Sequence, residues 1–481
     1  MASLPHLPAL RRGQPYASLD RAPVSDYRTG ATLAHVSQVN PGVVRRDLLK
    51  VTESRATLKR FTCDQLIETC GRAGDLFLNG KLPLGDQGHG QSPEDYVQTL
   101  SSTSGLPHVM VHRNMARIYS ALVNMRTVLK GLTRGLPLDV IDRGWGEQAG
   151  SRVSFYPATT SLGLVLPSNS PGVNSLWLPA IPLKIPVVLK PGRQDPWTPY
   201  RLLQAFIAAG GPADAFGFYP TDHEGAAEIL RSCGRALVFG DQTTTAQYAH
   251  NPAIQIHGPG YSKILIGNDQ IGRWPEFVDV MVASIADNGG RSCINASAVV
   301  VPRYAREIAD ALARRLGPIT PMAAEDADAR LSGFANPGMA EAIDTAIEEG
   351  LRVPGAIDVT AQYRGGSRRA ELGGGVFLRP TVVLCDSLAH PLANREFLFP
   401  YASVVELPQA EMLRQIGPSL VVTAITRDPA FREQLLDCPL IERLNLGPIS
   451  TLQVSWDQPH EGNLFEFLYR RRSIDWEDAD A

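Results

Sequence analysis

The sequence predicts an α/β fold made of parallel sheets with helices packed against them. Between residues 162 and 266, short apolar runs of strand length alternate with amphipathic segments of helix length. A second alternation of this kind follows residue 293. Neighbouring parallel strands need a crossover connection, which is usually a helix, so this order is typical of doubly wound sheets. Folds of this class bind ligands beyond the carboxyl ends of their strands.

The chain before this alternation is less regular. Residues 1–45 are rich in Pro, Arg and turn-forming residues, which predicts an arm or short edge strands. From residue 46 to residue 130, apolar side chains recur at helical spacing, interrupted by a Gly-rich loop at residues 80–92. Alternating apolar and polar residues from 152 to 165 then predict strand structure.

The later elements follow in order along the chain. Before residue 293 we expect strands at residues 162–167, 186–190, 216–219, 236–239 and 263–266, with helices at residues 171–182, 199–209, 224–232 and 243–249. After it we expect helices at residues 303–316 and 342–349 and strands at residues 377–384 and 402–406. The last thirty residues lose this alternation.

Composition excludes several classes of function. The chain has 481 residues, enough for two or three domains, and its net charge of −3 gives a nucleic-acid partner no electrostatic support. Its most apolar stretch, residues 176–189, is broken by prolines and Lys184 and is too short to span a bilayer. The N-terminus lacks the basic and apolar regions of a signal peptide. We therefore expect a cytoplasmic protein without a membrane span.

The 6 cysteines show neither a CxxC pair nor the spacing of a zinc site. This usage is typical of a reduced intracellular protein, in which a special cysteine is reactive rather than cross-linked. His108 and His112 have the spacing of helical metal ligands, but Pro107 and the β-like Val-Met-Val between the histidines argue against a metal site. We assign no metal.

One cysteine lies in a segment suited to catalysis. Cys293 ends the sequence Asn-Gly-Gly-Arg-Ser-Cys and precedes an apolar run that predicts a strand. The glycines permit a tight backbone path and a close approach of substrate to the sulfur. A neighbouring cation such as Arg291, together with backbone N–H groups, would favour the nucleophilic thiolate. The segment alone leaves two interpretations open, a nucleophile or a buried structural cysteine.

With three other segments, this sequence resembles the aldehyde dehydrogenase superfamily. The resemblance covers nearly the whole chain, and the segments occur in the family's order. They are residues 166–171 (LPSNSP), similar to the family's Pro-Trp-Asn-Phe-Pro turn; residues 186–191 (PVVLKP), similar to its Val-Leu-Lys-Pro strand end; residues 289–293 (GGRSC), similar to its Gly-Gln-x-Cys loop; and residues 395–400 (REFLFP), similar to its Glu-Glu-Ile-Phe-Gly-Pro loop.

The resemblance implies an aldehyde dehydrogenase-like fold of three parts. A Rossmann-type NAD(P)-binding domain would comprise residues 1–134 and 160–262, and an α/β catalytic domain residues 263–450. A small bridging unit would combine a β-hairpin in residues 135–159 with the tail, residues 451–481. The resemblance also implies a homodimer or a homotetramer.

The same resemblance implies the chemistry. Cys293 would attack the carbonyl carbon of a small-molecule aldehyde, and the amide of Asn169 would donate to the resulting oxyanion together with the N–H of Cys293. Hydride transfer to NAD or NADP would then leave a thioester on Cys293. In the reverse direction the substrate would be an acyl thioester.

Several positions carry the implied cofactor contacts. Lys190 would reach the adenosine ribose or a 2′-phosphate, and Glu396 would hold the nicotinamide ribose. Gly240 would open a helix N-terminus towards the pyrophosphate. The other implied cofactor residues are Pro167, Ser168, Arg193, Asp241 and Leu398.

The first departure from the family's pattern concerns the general base. The family's Glu-Leu-Gly-Gly-Lys block appears as residues 257–263 (HGPGYSK), so His257 replaces the glutamate that activates the deacylating water. A histidine can act as a base near neutral pH. Otherwise coenzyme A could accept the acyl group, which would make the protein an acylating dehydrogenase or acyl-CoA reductase. A non-enzyme alternative is a retired member that binds nucleotide or a partner without turnover.

The second and third departures concern the cofactor. Arg193 occupies the position at which many NAD-preferring members carry a glutamate, and an arginine there favours a 2′-phosphate and hence NADP. The turn at Gly240 lacks the family's second glycine, and Asp241 would repel a pyrophosphate unless it caps the helix.

The family places its substrate-tunnel loop where this chain has residues 445–463. In and after this loop, Trp456, Phe465 and Phe467 are candidates for an aromatic wall, although aromatic residues at such spacing are also common in plain cores.

Overall fold

The fold contains two seven-stranded sheets. The computed structural model describes residues 4–475. The helices are α1 (Pro41–Leu48), α2 (Val51–Leu58), α3 (Cys63–Asn79), α4 (Pro93–Ser104), α5 (His108–Val123), α6 (Met125–Leu132), α7 (Val140–Arg143), α8 (Trp197–Ala208), α9 (His223–Ser232), α10 (Gln242–Thr245), α11 (Val278–Ala286), α12 (Ala305–Leu316), α13 (Pro337–Leu351), α14 (Ala361–Arg364), α15 (Gln409–Gln415), α16 (Pro429–Leu436) and α17 (Leu464–Leu468).

The strands are β1 (His6–Leu7), β2 (Ala9–Arg11), β3 (Gln14–Tyr16), β4 (Arg21–Ser25), β5 (Thr32–Ser37), β6 (Leu82–Leu84), β7 (His89–Gln91), β8 (Trp145–Gln148), β9 (Ser151–Pro157), β10 (Leu162–Val165), β11 (Val187–Lys190), β12 (Phe216–Phe218), β13 (Arg235–Phe239), β14 (Ile254–His257), β15 (Ser262–Ile266), β16 (Ala296–Val301), β17 (Ala356–Asp358), β18 (Arg369–Leu372), β19 (Gly375–Leu378), β20 (Thr381–Cys385), β21 (Tyr401–Glu406), β22 (Ser419–Ile425), β23 (Ile441–Leu446) and β24 (Tyr469–Arg472).

The first sheet has the strand order β14-β13-β10-β11-β12-β2-β3, and its first five strands are parallel. Its central strands are apolar runs because both faces of a parallel sheet are covered; Leu164, for example, is wholly buried. The parallel register sets Val165 beside Lys190 and Phe239 beside His257 at the strands' carboxyl ends. Lys190, a predicted cofactor-binding residue, and His257, a predicted catalytic residue, therefore lie at the same edge of this sheet.

The second sheet has the order β17-β20-β21-β16-β15-β22-β23 and is parallel apart from β17. Its strand β15 begins shortly after β14 ends, so the carboxyl edge of the first sheet meets the amino edge of the second. Cys293 lies just before β16 at that amino edge. The cleft between the two edges holds the candidate site.

The predicted β-hairpin is formed by β8 and β9, and the tail strand β24 extends it, with Tyr469 opposite Pro157. The α/β fold class with a small hairpin unit is thus confirmed. The domain boundaries stay predictions, and the last part of the expected bridging segment, residues 476–481, lies outside the described residues. Among residues 4–475, every helix falls short of the length and apolar character that a bilayer crossing requires.

Some predicted elements differ from the observed ones. The loop expected at residues 80–92 contains the two-stranded antiparallel sheet of β6 and β7. The helix expected at residues 171–182 is a pair of 3₁₀ turns, because its prolines lack the N–H groups that an α-helix needs. The strand expected at residues 377–384 is divided into β19 and β20 around Pro380 for the same reason.

The β-like residues 109–111 form part of helix α5, in agreement with the helical spacing expected from residue 46 to residue 130. Met110 and Val111 are buried in the core around α3 and α5, and this tertiary packing outweighs their local preference. No group of three or more metal-ligating side chains occurs in the described part of the chain, residues 4–475.

Candidate active site

The nucleophile segment has an unusual backbone. After α11, Asn288, Gly289 and Gly290 all have positive φ angles, of 56°, 64° and 68°. A Cβ on Gly290 would lie 2.3 Å from the carbonyl carbon of Phe399, so only glycine fits this close approach. The chain thereby turns sharply from α11 into the position of Cys293.

Hydrogen bonds fix this turn on the second sheet. Asn295 accepts from the N–H of Ser292 at 2.9 Å and donates to the carbonyl oxygens of Ser284 at 3.0 Å and Asp287 at 2.9 Å. The hydroxyl of Ser262 donates to the carbonyl oxygen of Cys293 at 2.9 Å. The main chain on both sides of the sulfur is therefore held in place.

The turn that carries Asn169 is tied to the nucleophile segment. The side-chain amide of Asn169 donates to the carbonyl oxygen of Arg291 at 2.8 Å. Asn114 donates to the side chain of Asn288 at 2.8 Å and accepts from the N–H of Gly172 at 3.0 Å. An amide carries two N–H groups, so Asn169 keeps one donor that makes no hydrogen bond among residues 4–475.

Arg291 is not the cation beside the sulfur that the sequence suggested. Its guanidinium group donates to the carbonyl oxygens of Ser104, at 3.2 Å, and Gly333, and it lies over the ring of Phe334. Burial lowers the pKa of Arg291 to about 10. These contacts are with main-chain carbonyl groups and an aromatic ring, so Arg291 acts as a structural anchor.

Burial raises the pKa of the Cys293 thiol above its ordinary value, and the carboxylates of Glu461 and Glu396 raise it further. The cations that act on the sulfur in the opposite sense are Arg443 and Arg117. The resting state is therefore a thiol, and catalysis requires that its proton be removed.

His257, at the end of β14, pairs with a carboxylate from the C-terminal part of the chain. Its Nδ1 contacts the side chain of Glu461, and its ring stacks on Phe239 with centroids 4.4 Å apart. A carboxylate can only accept, so Nδ1 carries the hydrogen and donates. The other ring nitrogen, Nε2, is buried and has no hydrogen-bond partner in the described structure, residues 4–475.

Asn169, His257 and Cys293 line a single pocket. Arg117, Trp456, His460 and Glu461 line the same pocket, which is consistent with the expected tunnel position of residues 445–463. Phe465 stacks instead on Tyr469, with ring centroids 5.2 Å apart, and belongs to the core. Of the proposed aromatic wall, Trp456 is a lining residue of this pocket.

The predicted cofactor residues of the first sheet lie together at its carboxyl edge. A Cβ on Gly192 would lie 2.2 Å from the hydroxyl of Ser168 and 2.5 Å from the carbonyl oxygen of Pro167, so the two loops are in contact. Lys190 is half-buried, and its pKa is lowered by burial and by the nearby charge of Arg193, which is exposed. Two neighbouring cations beside a close-packed glycine fit a phosphate- and hydroxyl-bearing group such as NAD or NADP.

Glu396 lies at the junction of the two sheets. Its carboxylate accepts from the N–H of Tyr261 at 2.7 Å, and burial raises its pKa to about 7. Leu398 is half-buried two residues further along. The ribose contacts expected of Glu396 and Leu398 stay predictions.

Asp241 caps helix α10. Its carboxylate accepts from the N–H of Thr244 at 2.8 Å, and this bond lowers the pKa of Asp241. The capping arrangement is the one that avoids repulsion with a pyrophosphate, but α10 has only 4 residues. The pyrophosphate contacts of Gly240 and Asp241 therefore stay predictions.

Sequence comparison gives the relationship of the chain. A sequence model of the aldehyde dehydrogenase family matches residues 100–416, which is well over half of the protein. The chain belongs to the aldehyde dehydrogenase family. Members of this family are oxidoreductases, so the protein is placed among the enzymes of that class. None of the curated proteins matches this sequence.

Solved structures of aldehyde dehydrogenases share the fold. Aldehyde dehydrogenase 21 of Physcomitrella patens, in complex with the reaction product succinate, is 15% identical, with 100% of each chain covered and a TM-score of 0.77. KauB of Pseudomonas aeruginosa is 16% identical over 98% of this chain and 96% of its own, with a TM-score of 0.78. The aldehyde dehydrogenase of Bacillus cereus, in its NAD+ complex, is 16% identical over 98% of this chain and 96% of its own, with a TM-score of 0.76.

Glu461 and Asn295 are among the site residues to which the sequence assigned no role. Glu461 approaches His257 from the C-terminal segment, and Asn295 braces the nucleophile turn of this aldehyde dehydrogenase family member. A carboxylate far along the chain gives no local signal. Asn295, by contrast, lies two residues after Cys293, where an asparagine at the end of a tight turn suggests a bond to the main chain.

Proposed function

We propose that the protein oxidises an aldehyde to a carboxylate with NAD or NADP, through a thioester on Cys293. The observation that carries this proposal is the shared pocket of Cys293, Asn169 and the unpartnered Nε2 of His257. The succinate-bound relative from P. patens and the NAD+-bound relative from B. cereus support a carboxylate product and a nicotinamide cofactor.

In the first step the sulfur of Cys293 forms a bond to the aldehyde carbon, and its proton leaves to a base. His257 is suited to take this proton, because Nε2 bears a lone pair when Nδ1 donates to Glu461. The carbonyl π electrons move to the oxygen, which becomes an oxyanion. The free N–H of Asn169 and the N–H of Cys293 are the proposed donors to it, and one such donor typically lowers the barrier by about 3–4 kcal/mol.

A nicotinamide cofactor, when bound, would supply the hydride acceptor for this carbon, and loss of the hydride would leave a thioester on Cys293. Lys190, Ser168 and Arg193 are suited to hold the adenosine end, and the exposed guanidinium of Arg193 favours a 2′-phosphate and hence NADP. Glu396 is suited to the nicotinamide ribose once its bond to Tyr261 is exchanged.

The second step resolves the thioester with water. Before this step His257 releases the proton of Cys293 to solvent, so that Nε2 again bears a lone pair. A water molecule then attacks the acyl carbon, its proton passes to Nε2 of His257, and the sulfur of Cys293 leaves as a thiolate that is reprotonated to the resting thiol. Glu461 orients the imidazole and stabilises its protonated form, as a carboxylate does in other histidine–carboxylate pairs. In this proposal, Glu461 from the C-terminal segment provides the carboxylate that the family's glutamate would provide at position 257. This pairing favours water over coenzyme A as the acyl acceptor.

The test is pre-steady-state NAD(P)H formation on a panel of aldehydes, with and without coenzyme A. The wild-type protein should turn over without coenzyme A, and Cys293→Ser should lose at least a thousandfold in rate while still binding cofactor. His257→Gln should slow both the formation of the first NAD(P)H and the following turnover, the turnover by roughly 10²–10⁴-fold. Glu461→Gln should slow both steps less. Turnover that depends on coenzyme A in the wild type would refute the water-resolved step and establish the acylating alternative.

The sequence-based proposals of a cytoplasmic location and a homodimer or homotetramer accompany this function. Their support is the cysteine usage and the family relationship.

A further inference from the structure

We propose that Arg117, which lines the substrate pocket, and the neighbouring Arg443 form an anion-binding subsite, so that the substrate is an aldehyde with a carboxylate at its far end. The inference rests on the proposed aldehyde oxidation at Cys293 and adds the class of substrate to it.

The two arginines come from distant parts of the chain, Arg117 from helix α5 and Arg443 from strand β23. Nη2 of Arg117 donates to the carbonyl oxygen of Leu452 at 2.9 Å, and Nη2 of Arg443 donates to that of Gln453 at 2.7 Å. The charge of Arg117 acts on Arg443, so the two guanidinium groups lie near each other. A guanidinium has five N–H donors, so each arginine keeps donors for a ligand.

Within the described residues, 4–475, neither arginine is paired directly with a carboxylate. The recorded bonds of Arg117 and Arg443 go to main-chain carbonyls and one histidine. Burial lowers the pKa of each arginine, and for Arg443 the neighbouring charge of Arg117 lowers it further. Two like charges held together in a partly desolvated site are unfavourable for folding, so their compensation is expected from a ligand.

His460 completes this arrangement without adding charge. Its Nδ1 lies 3.2 Å from Nη1 of Arg443, and since an arginine can only donate, this nitrogen is the acceptor. Burial and the charge of Arg443 lower the pKa of His460 to about 3, so the imidazole is neutral. Arg117 and His460 line the pocket that also contains Cys293, which places the subsite within reach of a substrate bound at the sulfur.

The charges around the pocket favour a carboxylate over a phosphate. The carboxylates of Glu461 and Glu396 also act on Cys293, so their negative charges offset those of the two arginines near the sulfur. A singly charged group suits this balance better than a dianion. A carboxylate also matches the planar donor geometry of a guanidinium.

The experiment compares kcat/KM for 5-oxopentanoate, which ends in a carboxylate, with that for pentanal. We expect the wild type to prefer 5-oxopentanoate by at least a hundredfold. Arg117→Met and Arg443→Met should each reduce this ratio at least tenfold, and Arg117→Lys should reduce it less. Arg113→Met is the matched control, because Arg113 lies one turn earlier on α5 and is exposed, and it should leave the ratio unchanged.

A second readout does not need turnover. Glutarate, the expected product, should bind to the wild-type protein in isothermal titration at least tenfold more tightly than to Arg117→Met, and more tightly than pentanoate does. If pentanal or a phosphate-bearing aldehyde is the better substrate, or if both Met variants keep the wild-type ratio, the subsite is refuted and aldehyde oxidation stands. If no aldehyde yields NAD(P)H but glutarate binding depends on Arg117, the proposed function is refuted and the subsite stands.

Discussion

At the scale of single residues, the electrostatics of Cys293 give a testable pH dependence. Burial and two nearby carboxylates raise the pKa of its thiol, so the thiolate fraction grows about tenfold for each pH unit in the neutral range. In the cofactor-free protein, alkylation of Cys293 by iodoacetamide should follow this slope from pH 6.5 to pH 8.5 without a plateau. Mass spectrometry of the Cys293 peptide measures the rate of alkylation at each pH.

Glu461→Gln sharpens this prediction. The substitution removes a negative charge that raises the pKa of Cys293, so alkylation at a fixed pH should become faster. The same substitution should slow hydrolytic turnover, because His257 loses its orienting partner. A plateau below pH 8 in the wild type would contradict the raised pKa and would indicate a thiolate already stabilised by Arg117 and Arg443.

At the scale of elements, the nucleophile turn depends on one buried side chain. Asn295→Ala would leave the N–H of Ser292 and the carbonyl groups at the end of α11 without partners in a buried region. Each unsatisfied buried group costs about 1–3 kcal/mol, so for these three groups we expect the free energy of unfolding to fall by at least about 3 kcal/mol.

Urea unfolding at pH 7 measures this loss. Asn268→Ala is the matched control, because Asn268 is exposed, and its effect should stay within about 0.5 kcal/mol. A loss below about 1 kcal/mol for Asn295→Ala would show that water or a rearranged turn replaces the missing bonds.

The elements also show what the sequence can predict. Strands β10, β11, β13 and β15 were placed to within one or two residues, because buried parallel strands are short apolar runs with clear boundaries. The 3₁₀ turns after Asn169 and the strand break at Pro380 were missed, because apolar content alone does not record the lack of N–H donors at proline.

For the candidate site, local motifs indicated Cys293, Asn169 and His257, which the fold brings to one pocket. Glu461 and Arg117 approach it from the tail and from an N-terminal helix, and such contacts arise only when the two sheets meet. No local spacing rule encodes them, so a single sequence could not reveal the pair with His257 or the arginine subsite.

At the scale of the whole molecule, the junction of the two sheets makes stability depend on pH. Lys263 at the start of β15 is wholly buried, donates to the carbonyl oxygen of Tyr261 at 2.6 Å, and has its pKa lowered by burial to about 7. In the unfolded chain a lysine titrates near 10.4, so between pH 7 and about 10 the unfolded state binds more protons. The contribution of Lys263 to stability therefore rises with pH across this window.

Urea unfolding of the wild type and of Lys263→Met at pH 7.5 and pH 9.5 measures this contribution. The wild-type midpoint should rise relative to that of Lys263→Met as the pH increases, because methionine removes the titrating group and keeps most of the buried volume. Glu396, with its pKa raised to about 7, binds its extra proton below this window and adds little to the difference. If the urea midpoints of the wild type and of Lys263→Met change equally between pH 7.5 and pH 9.5, Lys263 stays charged in the folded state. Its charge would then be stabilised by Glu396 across the junction of the sheets.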